Sequence, residues 1–328
     1  MIRIRSLIMP AILIVIMLAG SLIILFITRS PPRQNIRVTA VIKAVANDSE
    51  FWEVVKTGMR AAADEFGITL SIQGPWVESD VDGQMRIVAD ILKSDPPKAL
   101  ILAAADYIRL VPLVEQAAAA GIKVITMDSG VDSPLPLSFV ATNNIEVGAK
   151  VAAEMIRILE AGRKLAIINH VQGATTAIER EEGARRVLQE DGRYPIIGTW
   201  FTDNFKENAY AITEQLLDVY PDLGGIMGMN EVSTLWAARA IQDRGYAGKV
   251  RVVGVDSSLT EIQLIEQGVI AATVIQKPFN MGYLAVRAAM DAAENHTLLP
   301  FIDTGSVLIT EDNLYEPENQ KLLFPFVE

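Results

Sequence analysis

The chain has 328 residues, enough for two domains, with half of them hydrophobic. Its 29 basic and 40 acidic residues give a formal charge of −11, and a surface that acidic repels phosphate backbones, which excludes nucleic acid as a partner. Cysteine is absent, so disulfides, thiolate metal sites and cysteine nucleophiles are excluded as well.

Residues 6–28 carry no charge and are almost all Leu, Ile, Val, Met and Ala between Leu7 and Ile27. As a helix this run is about 34 Å long, against a hydrocarbon core of roughly 30 Å. An uncleaved N-terminal transmembrane helix is expected ahead of a cleavable signal peptide, whose apolar region is shorter. Ala19-Gly20-Ser21 imitates a cleavage site, but six apolar residues follow it. Either way the remainder is exported. Arg3 and Arg5 precede the span while Arg29, Arg33 and Arg37 follow it, so charge does not orient it. The short N-terminal flank suggests N-in, C-out: a single-pass membrane protein with its folded part outside the cytoplasm. Ser30-Pro31-Pro32 is a stiff spacer.

Apolar, β-rich runs then alternate with amphipathic patterns. Strands are expected at 36–45, 68–73, 99–103 and 122–127, with helices at 51–66, 80–93 and 107–120 between them. Asp48 or Ser49 is the expected cap of the first helix, and Gly67 and Gly121 are stops. The pattern restarts with strands at 137–141, 164–169, 196–201, 225–229, 250–255 and 271–275. Their helices are 145–160, 176–190, 204–220, 232–244, 261–267 and 280–294. So many βα steps predict an α/β protein of two doubly wound parallel-sheet lobes.

No phosphate loop, dinucleotide fingerprint, serine-nucleophile elbow or zinc-binding H-E-x-x-H occurs. Glu78-Ser79-Asp80-Val81-Asp82-Gly83 imitates the start of a calcium loop, but Ala89 stands where its bidentate Glu belongs, so it reads as an acidic helix N-cap. His170 and His296 are the only histidines, set in different segments. They read as structural or exposed. No catalytic residue, metal or cofactor is expected, and the chain does not read as an enzyme.

In open α/β sheets, ligands sit beyond the carboxyl ends of strands. There the sequence places Lys43, then Phe51-Trp52, Asp128-Ser129, Asn169-His170, Asn204, Asn230-Glu231, Asp256-Ser257 and Gln276. Carboxylates and amides pair with vicinal hydroxyls, and aromatic faces pack on the C–H side of a sugar ring. Any single member could be a helix cap or a core residue; the repetition predicts a neutral, polyhydroxylated ligand.

These residues carry a resemblance to the ribose-type periplasmic sugar-binding proteins, which share their fold with the ligand domains of lactose-repressor-like regulators. It spans nearly all of 36–328. It rests on Phe51-Trp52 with Gly58, Val124–Asp128, Ala141–Asn144 with Gly148, and Gly173–Thr176 through Glu179–Gly183. Tyr220-Pro221-Asp222, Met229–Glu231, Val252–Asp256 and Ala271–Gln276 continue it. The resemblance implies stacking by Phe51 and Trp52, and a first-lobe carboxylate at Asp128. It implies a sugar-binding arginine at Arg180 and further ligands at Asn204, Asn230, Asp256 and Gln276. It also implies a hinge of three crossings, near 142–143, 276–277 and 303–304. The domains are then an anchor and spacer (1–35), an N-terminal lobe (36–142 plus 277–303) and a C-terminal lobe (143–276 plus 304–328). Ser129 stands where ribose binders carry arginine, Ala103 where they carry asparagine, the loop 44–50 lacks their Asn-Asn-Pro, and Lys43 adds a cation. These departures point from ribose toward a hexose, a polyol or a furanosyl signal. The expected role is a monomeric, extracytoplasmic sugar receptor serving an ABC permease, or alternatively a membrane kinase or chemoreceptor.

Overall fold

Short runs of Val, Ile, Leu and Ala with no polar alternation become strands buried on both faces. The computed structural model describes residues 36–46 and 50–323. In chain order the first elements are β1 (Arg37–Val41), α1 (Glu50–Phe66), β2 (Thr69–Gln73), α2 (Val81–Ser94), β3 (Ala99–Leu102), α3 (Val111–Ala119), β4 (Lys123–Met127) and β5 (Ser138–Ala141). Next come α4 (Asn144–Ile158), β6 (Lys164–Asn169), α5 (Thr175–Asp191), β7 (Ile196–Phe201), α6 (Lys206–Val219) and β8 (Leu223–Gly228). The chain continues through α7 (Glu231–Asp243), β9 (Arg251–Val255), α8 (Leu259–Glu266), β10 (Ala272–Ile275) and α9 (Pro278–Ala293). It closes with β11 (Phe301–Asp303), β12 (Val307–Thr310) and α10 (Pro317–Leu323).

The strands form two six-stranded sheets, ordered β11-β5-β4-β3-β1-β2 and β12-β10-β9-β8-β6-β7. The chain passes between sheets after Ala141, after Ile275 and after Asp303. Two of these passages touch: Thr142 and Thr304 share a hydroxyl hydrogen bond of 3.0 Å, and the Asn143 N–H donates to the Asp303 carboxylate. α9 packs on the first sheet and α4 on the second, so each sheet with its helices forms one lobe.

In each lobe two helices cross at glycines. A β-carbon on Gly58 or Gly282 would lie 2.1 or 2.2 Å from the Phe279 or Val55 carbonyl oxygen, so α1 and α9 meet backbone to backbone. α4 and α5 do the same at Gly148 and Gly183, where the carbonyls of Arg180 and Ile145 stand at 1.9 and 2.0 Å. Side chains cap several helices. Asp80, Asn143, Asn230 and Ser258 accept from backbone N–H groups of α2, α4, α7 and α8.

Four expectations are corrected. β1 ends at Val41, leaving Lys43 beyond the strand. The helix expected from Tyr107 begins at Val111, because Asp106 accepts from the Ile108 and Arg109 N–H groups and holds a turn there. The second sheet is not wholly parallel: β12 runs antiparallel to β10. The short strands β11 and β12 and the terminal α10 were not foreseen. The transmembrane span at 6–28, the spacer, the Asp48 or Ser49 cap and residues 324–328 lie outside the described residues. Among those described, no helix is long and apolar enough to cross a membrane.

Candidate ligand-binding cavity between the lobes

The loops after the strands of both sheets converge on one cavity of about 340 Å³. All nine residues singled out from the sequence line it: Lys43, Phe51, Trp52 and Asp128 from the first lobe, Arg180, Asn204, Asn230, Asp256 and Gln276 from the second.

Asp128 follows β4 and Asp256 follows β9, each with a left-handed backbone, at φ 60° and 76°. That conformation costs an ordinary residue about 1–2 kcal/mol and collects at functional positions. Neither aspartate is a helix cap. Asn204 shares the conformation at φ 62°.

The two carboxylates have different company. Lys43 Nζ lies 2.7 Å from Asp128 Oδ2, with both side chains buried. Asp256 accepts from Gln276 Nε2 at 2.7 Å and from the Glu231 N–H at 3.3 Å. Arg180 Nη1 stands farther off, 3.9 Å from Asp256 Oδ2. Its guanidinium is held instead by Asn144 Oδ1 at 2.9 Å and the Met229 carbonyl at 2.7 Å. Burial pushes the Asp256 carboxyl above its usual range, and Arg180 and Gln276 offset part of that push.

Phe51 and Trp52 open α1 with their rings edge to face, centroids 5.1 Å apart. Trp52 is 2% exposed, and its indole N–H donates to Glu78 Oε1 at 2.7 Å. Asn230 is at once the cap of α7 and a wall of the cavity: its Oδ1 accepts from the Ser233 N–H, while its Nδ2 donates to Asn204 Oδ1 at 2.7 Å.

Four wall residues lie outside those nine: Glu78 and Thr176, which the strand-end search did not name, and His170 and Glu231, which it named without assigning them to the ligand. Glu78 sits after β2, a strand end that the search passed over, while Asp80 is the cap of α2. Burial raises the Glu78 pKa, with Lys43 and the Trp52 hydrogen bond acting against it. His170, read as merely structural or exposed, is 3% exposed and borders the cavity. Burial drives its pKa well below the imidazole value of 6.5, helped by Lys43 and Arg180, so the ring is neutral at pH 7. His296 is exposed.

Thr176, at the start of α5, ties the lobes together. Its hydroxyl receives Lys43 Nζ at 3.2 Å from the first lobe and lies 2.9 Å from His170 Nε2 of the second. Beside it the Gly130 N–H donates to Thr175 Oγ1, and the Tyr107 N–H to the Gly173 carbonyl. Two buried polar atoms of the wall residues have no protein partner, His170 Nδ1 and Gln276 Oε1. Buried polar atoms are rarely left so, and a hydroxyl in the cavity satisfies either kind.

Comparisons with known proteins bear on the family and the fold. The D-allose-binding periplasmic protein of Escherichia coli is 27% identical over 285 residues, covering 83% of this chain and 91% of that protein. An ABC transporter solute-binding protein from Agrobacterium vitis, crystallised with bound D-fucose, superposes with a TM-score of 0.84 at 30% identity, covering 88% of this chain and 99% of its own. A sugar transporter from Clostridium phytofermentans is 34% identical with a TM-score of 0.78, covering 85% and 100%. The family model of the periplasmic binding protein domain matches residues 40–297, and the chain belongs to that family.

Proposed function

We propose that this protein captures an uncharged monosaccharide or sugar-like polyol between its lobes and delivers it to an ABC importer, with no bond made or broken. One observation carries the reading: both cations of the cavity wall already stand beside carboxylates, Lys43 beside Asp128 and Arg180 near Asp256. With Glu78 and Glu231 also in the wall, a ligand meets no cation without a carboxylate beside it, only planar amides, carboxylates and an indole besides. Those groups suit hydroxyls and ring C–H bonds, not a phosphate. The relatives' sugars, D-allose and D-fucose, support it.

In this reading the nine residues are ligand contacts, and His170, Glu78, Thr176 and Glu231 join them. The lobes are 36–142 with 277–303 and 143–276 with 304–328, and the three passages between sheets are the hinge. Closure buries the sugar, and since each lobe supplies only half the contacts, the ligand favours the closed form. Residues 6–28 anchor the receptor in the membrane with the lobes outside the cytoplasm. Tethering raises its effective concentration at the permease.

The test is a thermal-shift series on the full chain in a non-glycosidic detergent, with neutral monosaccharides, polyols and the matching sugar phosphates. A neutral sugar is expected to raise the melting point, since a ligand bound only to the folded state stabilises it. A shift by the phosphates alone overturns the reading.

A further inference from the structure

A second cavity, of about 920 Å³, adjoins the first and shares Trp52, Glu78 and Asn204 with it. Its walls also come from both lobes. Trp76, in the loop after β2, belongs to the first; Phe205, Lys206 and Trp236, at the start of α6 and on α7, belong to the second. Three of the chain's four tryptophans thus line this one space. The fourth, Trp200, packs against the core of the second lobe.

Trp52 is buried, but the aromatic side chains on the outer walls are open to solvent. Trp76 is 70% exposed and Phe205 41%. Lys206 Nζ stands 5.8 Å from the centre of the Trp236 ring, and the exposed Glu207 lies beside it. Indole faces with charged hydrogen-bonding groups at their edge repeat, in solvent, the chemistry of the inner cavity: a flat apolar plate for C–H bonds and polar atoms for hydroxyls.

We propose that the ligand range extends to a disaccharide, its first ring in the inner cavity and its second stacked between the tryptophan walls of the outer one. This rests on the sugar-binding reading above and extends it from one ring to two. Trp52 and Glu78, hydrogen-bonded to each other, then form the partition that the glycosidic linkage passes. Asn204 serves both rings.

Calorimetry on the full chain in a non-glycosidic detergent tests it. The probes are D-glucose, D-galactose and D-xylose against cellobiose, gentiobiose, lactose, melibiose and xylobiose. One disaccharide is expected to bind at least about tenfold more tightly than its component monosaccharides. Trp76→Ala, at an exposed position that leaves the core intact, is expected to bring that ratio down to about one; Trp236→Ala repeats the measurement from the opposite wall. Monosaccharide binding with no tighter disaccharide overturns the two-ring proposal and leaves the sugar-binding reading standing. So does a tight disaccharide whose affinity ignores both tryptophan substitutions. Binding of no probe of either length overturns both.

Discussion

In the first lobe α1 crosses α9 at Gly58 and Gly282; in the second α4 crosses α5 at Gly148 and Gly183. Each lobe also ends a central strand in a left-handed aspartate, Asp128 or Asp256. The backbones repeat, but the polar groups placed on them do not. The first-lobe crossing carries nothing polar into the cavity; α1 supplies its aromatic pair from its N-terminal turn. The second-lobe crossing carries Arg180 itself, because the carbonyl that Gly148 approaches is Arg180's own. A duplicated frame thus fixes where carboxylates go, while the partners of those carboxylates diverge.

The largest expected asymmetry is in the two acids. Asp128→Asn leaves the Lys43 ammonium buried beside the Thr176 hydroxyl without its carboxylate, a loss of about 3 kcal/mol in urea unfolding. Asp256→Asn is expected to lose only about 1 kcal/mol, since Arg180 retains Asn144 and the Met229 carbonyl. Equal losses refute the contrast.

The glycine crossings come next. Gly148→Ala and Gly58→Ala each force helices apart and cost about 2 kcal/mol. Only Gly148→Ala is expected to weaken sugar binding too, since it displaces the Arg180 backbone; calorimetry beside urea unfolding separates the two effects.

A third difference is in buried acids. Glu78 of the first lobe accepts from Trp52, whereas Glu261 of the second is fully buried, and burial, with Glu231 and Asp256 nearby, raises its pKa well above 4.5. A carboxyl raised on folding holds its proton longer in the native state. Its penalty is therefore absent below the unfolded value and grows as pH rises past it. Glu261→Gln is expected to stabilise the protein at about pH 7 and to do little at about pH 4, by urea midpoints at both. Glu78→Gln is expected to show a smaller change in the same direction. A larger gain at low pH refutes the assignment. The smallest effect belongs to the passage between lobes: Thr142→Val removes one hydroxyl pair with Thr304 and costs about 1 kcal/mol.

Much of this was legible in the sequence because parallel strands are buried on both faces and read as unbroken apolar runs, such as Ala99–Leu102 and Val252–Val255. β11 and β12 have three and four residues and are largely half-exposed at the sheet edges, too short to show a period. The strand-end rule found eight of the nine wall residues because a ligand cavity in this architecture collects strand ends; Arg180, inside α5, came only from the family resemblance. It missed Glu78 because its loop also contains Asp80, which caps α2. It missed Thr176 because that side chain enters from a helix start. His170 was named and set aside: one histidine without a ligating partner carries no metal signature, and its role depends on Thr176, six residues on but brought to it only by folding.

The left-handed aspartates subject two positions to two unequal filters. Steric tolerance at Asp128 and Asp256 extends to asparagine and glycine, the residues at ease with φ near 60–76°, while recognition of a hydroxyl pair asks for a carboxylate. A saturation library sorted once for expression and once for ligand capture separates these filters residue by residue. It also marks asparagine as the substitution through which such a receptor can trade one ligand for another while its chain still folds.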